Sequence, residues 1–152
     1  MPQFEIQLNG SPIAVNCPEE EVLLVALREH CDLASVRYGC GIEACGACRV
    51  LVDDALVTAC TTRVADCHKR RVQTLESLGA TKLHALQQAV LDLNAGQCGY
   101  CLSGILMTAS KLLIENPRPT RSEIQAALDA HLCRCGAHNR IIRAIEKAAG
   151  IE

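Results

Sequence analysis

The stretch "YGCGIEACGACRV", residues 38–50, sets three cysteines and three glycines within thirteen positions. Cys40, Cys45 and Cys48 follow the pattern CxxxxCxxC, and Cys60 lies further on, in the next segment predicted to be extended. This is the ligand spacing of a plant-type [2Fe–2S] cluster. Gly39, Gly41 and Gly46 let the backbone wrap closely round such a group and aim N–H donors at its anionic sulfur. The competing reading is a glycine-rich loop whose buried thiols act as small hydrophobes, and it leaves the spacing unexplained.

Working outward, a second cysteine set appears at Cys98-Gly-Tyr-Cys101 and Cys133-Arg-Cys135. The first pair stands at the start of a predicted helix and the second between two others, so helix ends brought together would offer four thiolates to one site. Spacing alone leaves two readings, a second [2Fe–2S] cluster or a four-cysteine zinc site, and the CxC pair is less usual for zinc.

The chain of 152 residues holds eleven cysteines, is 49% hydrophobic and carries only 2% aromatic residues. An odd cysteine count in a reducing compartment argues for metal rather than a disulfide scaffold. No apolar run approaches the roughly 18 residues of a membrane span. The opening "MPQFEIQLNG" lacks the basic start and apolar stretch of a secretory signal. The expectation is a cytoplasmic chain without membrane insertion, exported only if a partner carries it already folded. A formal net charge of −2 with scattered Lys and Arg argues against nucleic-acid binding.

"FEIQL" (4–8) and "PIAVN" (12–16) flank Asn9-Gly10 and predict a β-hairpin. Residues 19–31 predict a helix, acidic at its start, with Val22, Leu23, Ala26 and Leu27 on one face. A second hairpin is expected from 48–52 and 56–62 around Asp53-Asp54, with a last strand over 71–75. The first half therefore reads ββαβββ. Beyond Thr81 the period changes to helical, with helices over about 82–94 and 102–115. A third follows a Thr120/Glu123 capping box, and a fourth is expected to be capped by Asn139 and to end at Gly150. The boundary falls in "ESLGATK", giving domains 1–76 and 77–152 and an α+β fold class. At about 75 residues each half is at the size where natural domains often add metals or disulfides to a small core.

"YGCGIEACGACRV", "QCGYC" and "LCRCG" together resemble the iron–sulfur subunit, or domain, of the molybdenum hydroxylases, the xanthine oxidase and aldehyde oxidoreductase family. The likeness spans almost the whole chain in the same order. It implies a ferredoxin-like β-grasp domain with a plant-type cluster on Cys40, Cys45, Cys48 and Cys60. It also implies a four-helix domain with an inner cluster on Cys98, Cys101, Cys133 and Cys135. It further implies an electron-transfer subunit beside a large molybdopterin-binding subunit that hydroxylates an N-heteroaromatic ring or oxidises an aldehyde. Gln97 matches the glutamine that hydrogen-bonds the pterin, and Cys135 lies against it in the family. Gly136-Ala137-His138 departs from the Thr-Gly-Tyr common in xanthine oxidases, and "LCRCGAHNRIIRAI" is more similar to isoquinoline oxidoreductase and nicotinate dehydrogenase small subunits. That branch often passes electrons to cytochrome c rather than through an FAD subunit. The alternatives left open are a free-standing double-cluster ferredoxin and a zinc-stabilised interaction module.

Cys17, Cys31 and Cys67 remain over and read as buried small hydrophobes. His30, His84, His131 and His138 are scattered without a metal-binding arrangement, and no nucleophile with a base or phosphate loop is present. Substrate chemistry is therefore expected in the partner. The surplus of apolar positions on 82–94 and 102–115 marks those helices as expected contacts with the large subunit.

Overall fold

Asn9 and Gly10 both take positive φ, 50° and 88°. This is what a two-residue type I′ turn requires, and it joins strand β1 (Gln3–Leu8) to β2 (Ser11–Asn16). Asp53 and Asp54 do the same at φ 47° and 66°, joining β3 (Arg49–Val52) to β4 (Ala55–Thr58). The Asp53 carboxylate accepts from the backbone N–H and guanidinium of the chain returning at Arg70 and Arg71. Strand β5 (Arg71–Gln73) then slots between the hairpins, parallel to β1 and antiparallel to β3, in the order β2-β1-β5-β3-β4. The computed structural model describes residues 1–151.

The helix expected over 19–31 is shorter. Val22 is extended and forms an isolated bridge with Arg63, so helix α1 (Leu23–Val25) begins after it and passes into a π-helical turn over Ala26–His30. Leu23 and Leu27 from this segment pack with Ile6, Val15, Val50 and Val72 in the first core. Two strand ends also fall short of expectation. The Thr58 carbonyl accepts from the N–H groups of Thr61 and Thr62, curling the chain away after β4, so Cys60 lies in a turn rather than a strand. Beyond Gln73 the chain enters a 3-10 turn at Leu75–Ser77.

The second half holds α2 (Ala85–Asp92), α3 (Leu102–Glu115), α4 (Arg121–Leu128) and α5 (His138–Ala148). Helix α2 starts later than expected because His84 caps it, its ring accepting from Leu86 N–H while the Gln87 side chain accepts from His84 N–H. The Thr120/Glu123 box is formed as the sequence predicts. Asn139 does not cap α5: Ala137 occupies that position and Asn139 lies within the helix. Thr120→Ala is expected to lower the stability of the full chain by about 1 kcal/mol, the usual cost of a lost cap, read from the urea midpoint.

Leu86, Ile105, Ile124, Ile141 and Ile145 form the second core. Helix α3 belongs to more than that core. Every residue from Ser103 to Ser110 is buried, so both of its faces are covered. One packs on α2 and α4, the other on β3 and β4 of the first half. The apolar surplus of this helix is therefore used inside the chain, which corrects the expectation that it is kept for a partner. Leu83, Leu91 and Ile114 stay exposed. Among the described residues no helix is long and apolar enough to cross a membrane.

Candidate metal centres

The first set is assembled by one loop and one hairpin. The Cys48 carbonyl accepts from Ala59 N–H, and the β3–β4 register that follows brings Cys48 beside Cys60. Ahead of them the loop folds back so that the Cys40 sulfur accepts from Ile42 N–H at 3.4 Å and Ala44 N–H at 3.2 Å. Cys40 is also within hydrogen-bonding reach of Cys45. Backbone donors aimed at sulfur are what a thiolate ligand needs. They lower the Cys40 pKa to about 7, the Ile42 N–H contributing most. Cys48, in the inner corner, goes the other way, and burial pushes it up to about 11.

The second set repeats this plan with different parts. Cys98 precedes α3 and Cys101 caps it, while Cys133 and Cys135 lie on the connector between α4 and α5. Cys98 pairs with Cys135 and Cys101 with Cys133. The Cys98 pKa is lowered, chiefly by the N–H of Tyr100. Burial pushes the Cys133 thiol up, but donors led by Ala137 N–H outweigh it and the net shift is downward. Cys101, deeper, is raised to about 12 by burial and by its Cys133 neighbour. Cys40 in the first set and Cys98 and Cys133 in the second are thus eased toward thiolate, while the inner Cys48 and Cys101 are held protonated. Loading either set with metal must release protons.

The sulfurs meet two by two. Among the described residues no three His, Cys, Asp or Glu side chains are placed to hold a single metal ion. Two corners of two sulfurs each, in both sets, match the donors that a two-iron cluster needs.

Gln97 and Cys135 are brought together, the Gln97 side chain donating to the Cys135 carbonyl at 3.0 Å, and Gln97 is exposed. Of the leftover cysteines, Cys17 and Cys67 are fully buried as expected, and Cys31 is only half-buried, all against the first core. Cys67 ends a 3-10 turn, and the ring of its neighbour His68 accepts from Glu5 N–H rather than facing the thiol.

The two sets face each other across a seam. A cavity of about 130 Å³ is lined by Gly39, Cys45 and Ala47 on one side and by Cys98, Cys101 and Leu132 on the other. The Tyr100 hydroxyl donates to the Tyr38 carbonyl, and Leu132 N–H donates to the Cys45 carbonyl at 3.1 Å. Gly46 (φ +72°) and Gly104 make this approach possible. A Cβ on Gly46 would come within 2.4 Å of His131 Nδ1, and one on Gly104 within 2.0 Å of the Gly46 carbonyl oxygen. His131 lies in the same seam, where burial, then Arg49 and His138, lower its pKa to about 4 and keep it neutral. Histidine spacing alone gives His131 no role; its place immediately before "LCRCG" is the one signal in the sequence that points to it.

Comparison with known proteins agrees on both halves. Residues 6–74 match the family model of the 2Fe-2S iron-sulfur cluster binding domain, and residues 74–146 that of the [2Fe-2S] binding domain. The chain is 42% identical to one of the subunits of nicotinate dehydrogenase from Pseudomonas putida, over 96% of this chain and 94% of that one. It is 40% identical to the alpha subunit of isoquinoline 1-oxidoreductase from Brevundimonas diminuta, over 96% and 97%. The structure of quinoline 2-oxidoreductase from Pseudomonas putida 86 superposes with a TM-score of 0.93 at 34% identity, covering 98% of this chain and 94% of that one. Two cluster-binding halves in this order, matched nearly end to end by such subunits, make the chain a member of the molybdenum hydroxylase iron–sulfur subunits, the electron-transfer partner of a larger molybdopterin-binding subunit.

Proposed function

We propose that Cys40, Cys45, Cys48 and Cys60 hold one [2Fe–2S] cluster and that Cys98, Cys101, Cys133 and Cys135 hold the other. The division of the chain at 76/77 gives each cluster its own core. The observation that carries the assignment is the pairing of sulfurs into two corners in each set. When bound, a [2Fe–2S] cluster takes up and hands on one electron at a time. The chain's own residues set the conditions. N–H groups of Ile42, Ala44, Tyr100 and Ala137 stabilise anionic sulfur, and the burial of Cys48 and Cys101 keeps one side of each site dry.

Exposed Gln97 and half-buried Cys135, joined by that hydrogen bond, are the residues we assign to the pterin side of the partner subunit. The likeness to nicotinate, isoquinoline and quinoline enzymes favours an N-heteroaromatic substrate over an aldehyde in that partner. The second set, nearer Gln97, would hold the cluster that takes up electrons, and the first set the cluster that passes them on to a cytochrome c or an FAD subunit.

The test is electron paramagnetic resonance of the dithionite-reduced chain, with spins counted against protein. Two S = 1/2 signals and about two spins per chain are expected, one per reduced cluster. One spin would reduce one set to a zinc site, and none would leave all eight thiols structural.

A further inference from the structure

His131 has no place in either sulfur set, yet it is only 3% exposed and joins three elements. Its Nε2 is 2.7 Å from Thr108 Oγ1 on α3. Its ring leans on Gly46, in the loop between Cys45 and Cys48, too closely for any side chain there. Its backbone N–H donates to the Leu128 carbonyl at 2.9 Å, anchoring it to the end of α4. The residue after it, Leu132, donates to the Cys45 carbonyl, and the next is Cys133. An imidazole clamped at ring and backbone fixes where Leu132 N–H points. Holding a buried ring nitrogen, Nδ1, without a partner among the described residues costs stability, and such a cost is retained where placement matters.

We propose that His131 is a positioning residue for electron transfer between the two cysteine sets, holding closed the Leu132–Cys45 hydrogen bond that links them; this rests on the ligand assignment above. The link runs from the Cys45 sulfur through its own side chain and carbonyl, across one hydrogen bond, and along the Leu132–Cys133 backbone to the Cys133 sulfur. One electron crosses from the second set to the first. The donor is oxidised as the acceptor is reduced, and no proton or covalent bond is exchanged.

The experiment compares the wild-type chain in its complex with His131→Ala, His131→Gln and Thr108→Val, the last removing the hydroxyl that faces the ring. Three quantities are read besides turnover: the spin count, the dipolar splitting between the two reduced signals, and hydrogen exchange at Leu132 N–H. The rate of equilibration between the clusters after pulsed one-electron reduction completes the set. His131→Ala is expected to keep two signals, to speed Leu132 exchange by about tenfold as a hydrogen bond is lost, and to change the splitting. Equilibration should slow, because the hydrogen bond on the route between the two sets is opened. Gln, whose amide reaches the same hydroxyl, should restore most of the rate, and Thr108→Val should act in the same direction as Ala. Unchanged exchange, splitting and equilibration in both His131→Ala and Thr108→Val would overturn the proposal. Fewer than two spins in the wild type would instead overturn the ligand assignment, so the two failures are separable.

Discussion

Cys60→Ser is expected to remove one of the two reduced signals and leave the other, and Cys133→Ser to do the reverse. Each residue belongs to a corner whose other member is far off in sequence, Cys48 in one case and Cys101 in the other. Neither corner can be completed by a thiol from the opposite set, because the sets sit on separate cores and face each other only across the seam. Serine is the sharpest replacement, since it keeps the shape and removes the soft thiolate that iron prefers. Bound iron should fall by half in each variant. Simultaneous loss of both signals from either substitution would mean that the two sites are one cooperative unit, and retention of both would strike that cysteine from the ligand set.

Gly104→Ala is expected to destabilise the chain although it improves a helix. In an ordinary helix interior the change gains about 1 kcal/mol of propensity. Here the new Cβ would lie 2.0 Å from the Gly46 carbonyl oxygen, and the obstacle is backbone, which no rotamer change relieves. Overpacking of this kind costs about 1–3 kcal/mol, more where a backbone must shift. The steric term therefore wins, and a net loss of about 1–2 kcal/mol in urea unfolding is expected, with the larger share of the displacement falling on the Cys45–Cys48 loop. A stabilised variant would show that α3 and this loop are not in contact in solution.

What could be read from the sequence is what local chemistry decides. The Asn9-Gly10 and Asp53-Asp54 turns and the Thr120/Glu123 box each depend on neighbours a few residues away, and all are formed. The misreadings depend on distant ones. Helix 19–31 loses its start because Val22 bridges to Arg63, and Cys60 leaves its strand because Thr58 gathers the following N–H groups into a turn. The supposed Asn139 cap fails because the chain enters α5 two residues earlier, where the Ala137 N–H is already donated to the Cys133 sulfur. The seam was invisible because Gly46, Gly104, Thr108 and His131 meet only after both halves are built.

A helix enclosed by two neighbours makes the order of synthesis matter. The first half leaves the ribosome before α3 exists, and domains generally fold as they emerge. The sheet is therefore ready as a mould when Met107 and Thr108 appear, and α4 and α5 then close around a strut already seated. A second half made alone would carry that face bare to water, so the chain is divisible on paper at its linker but not in the cell.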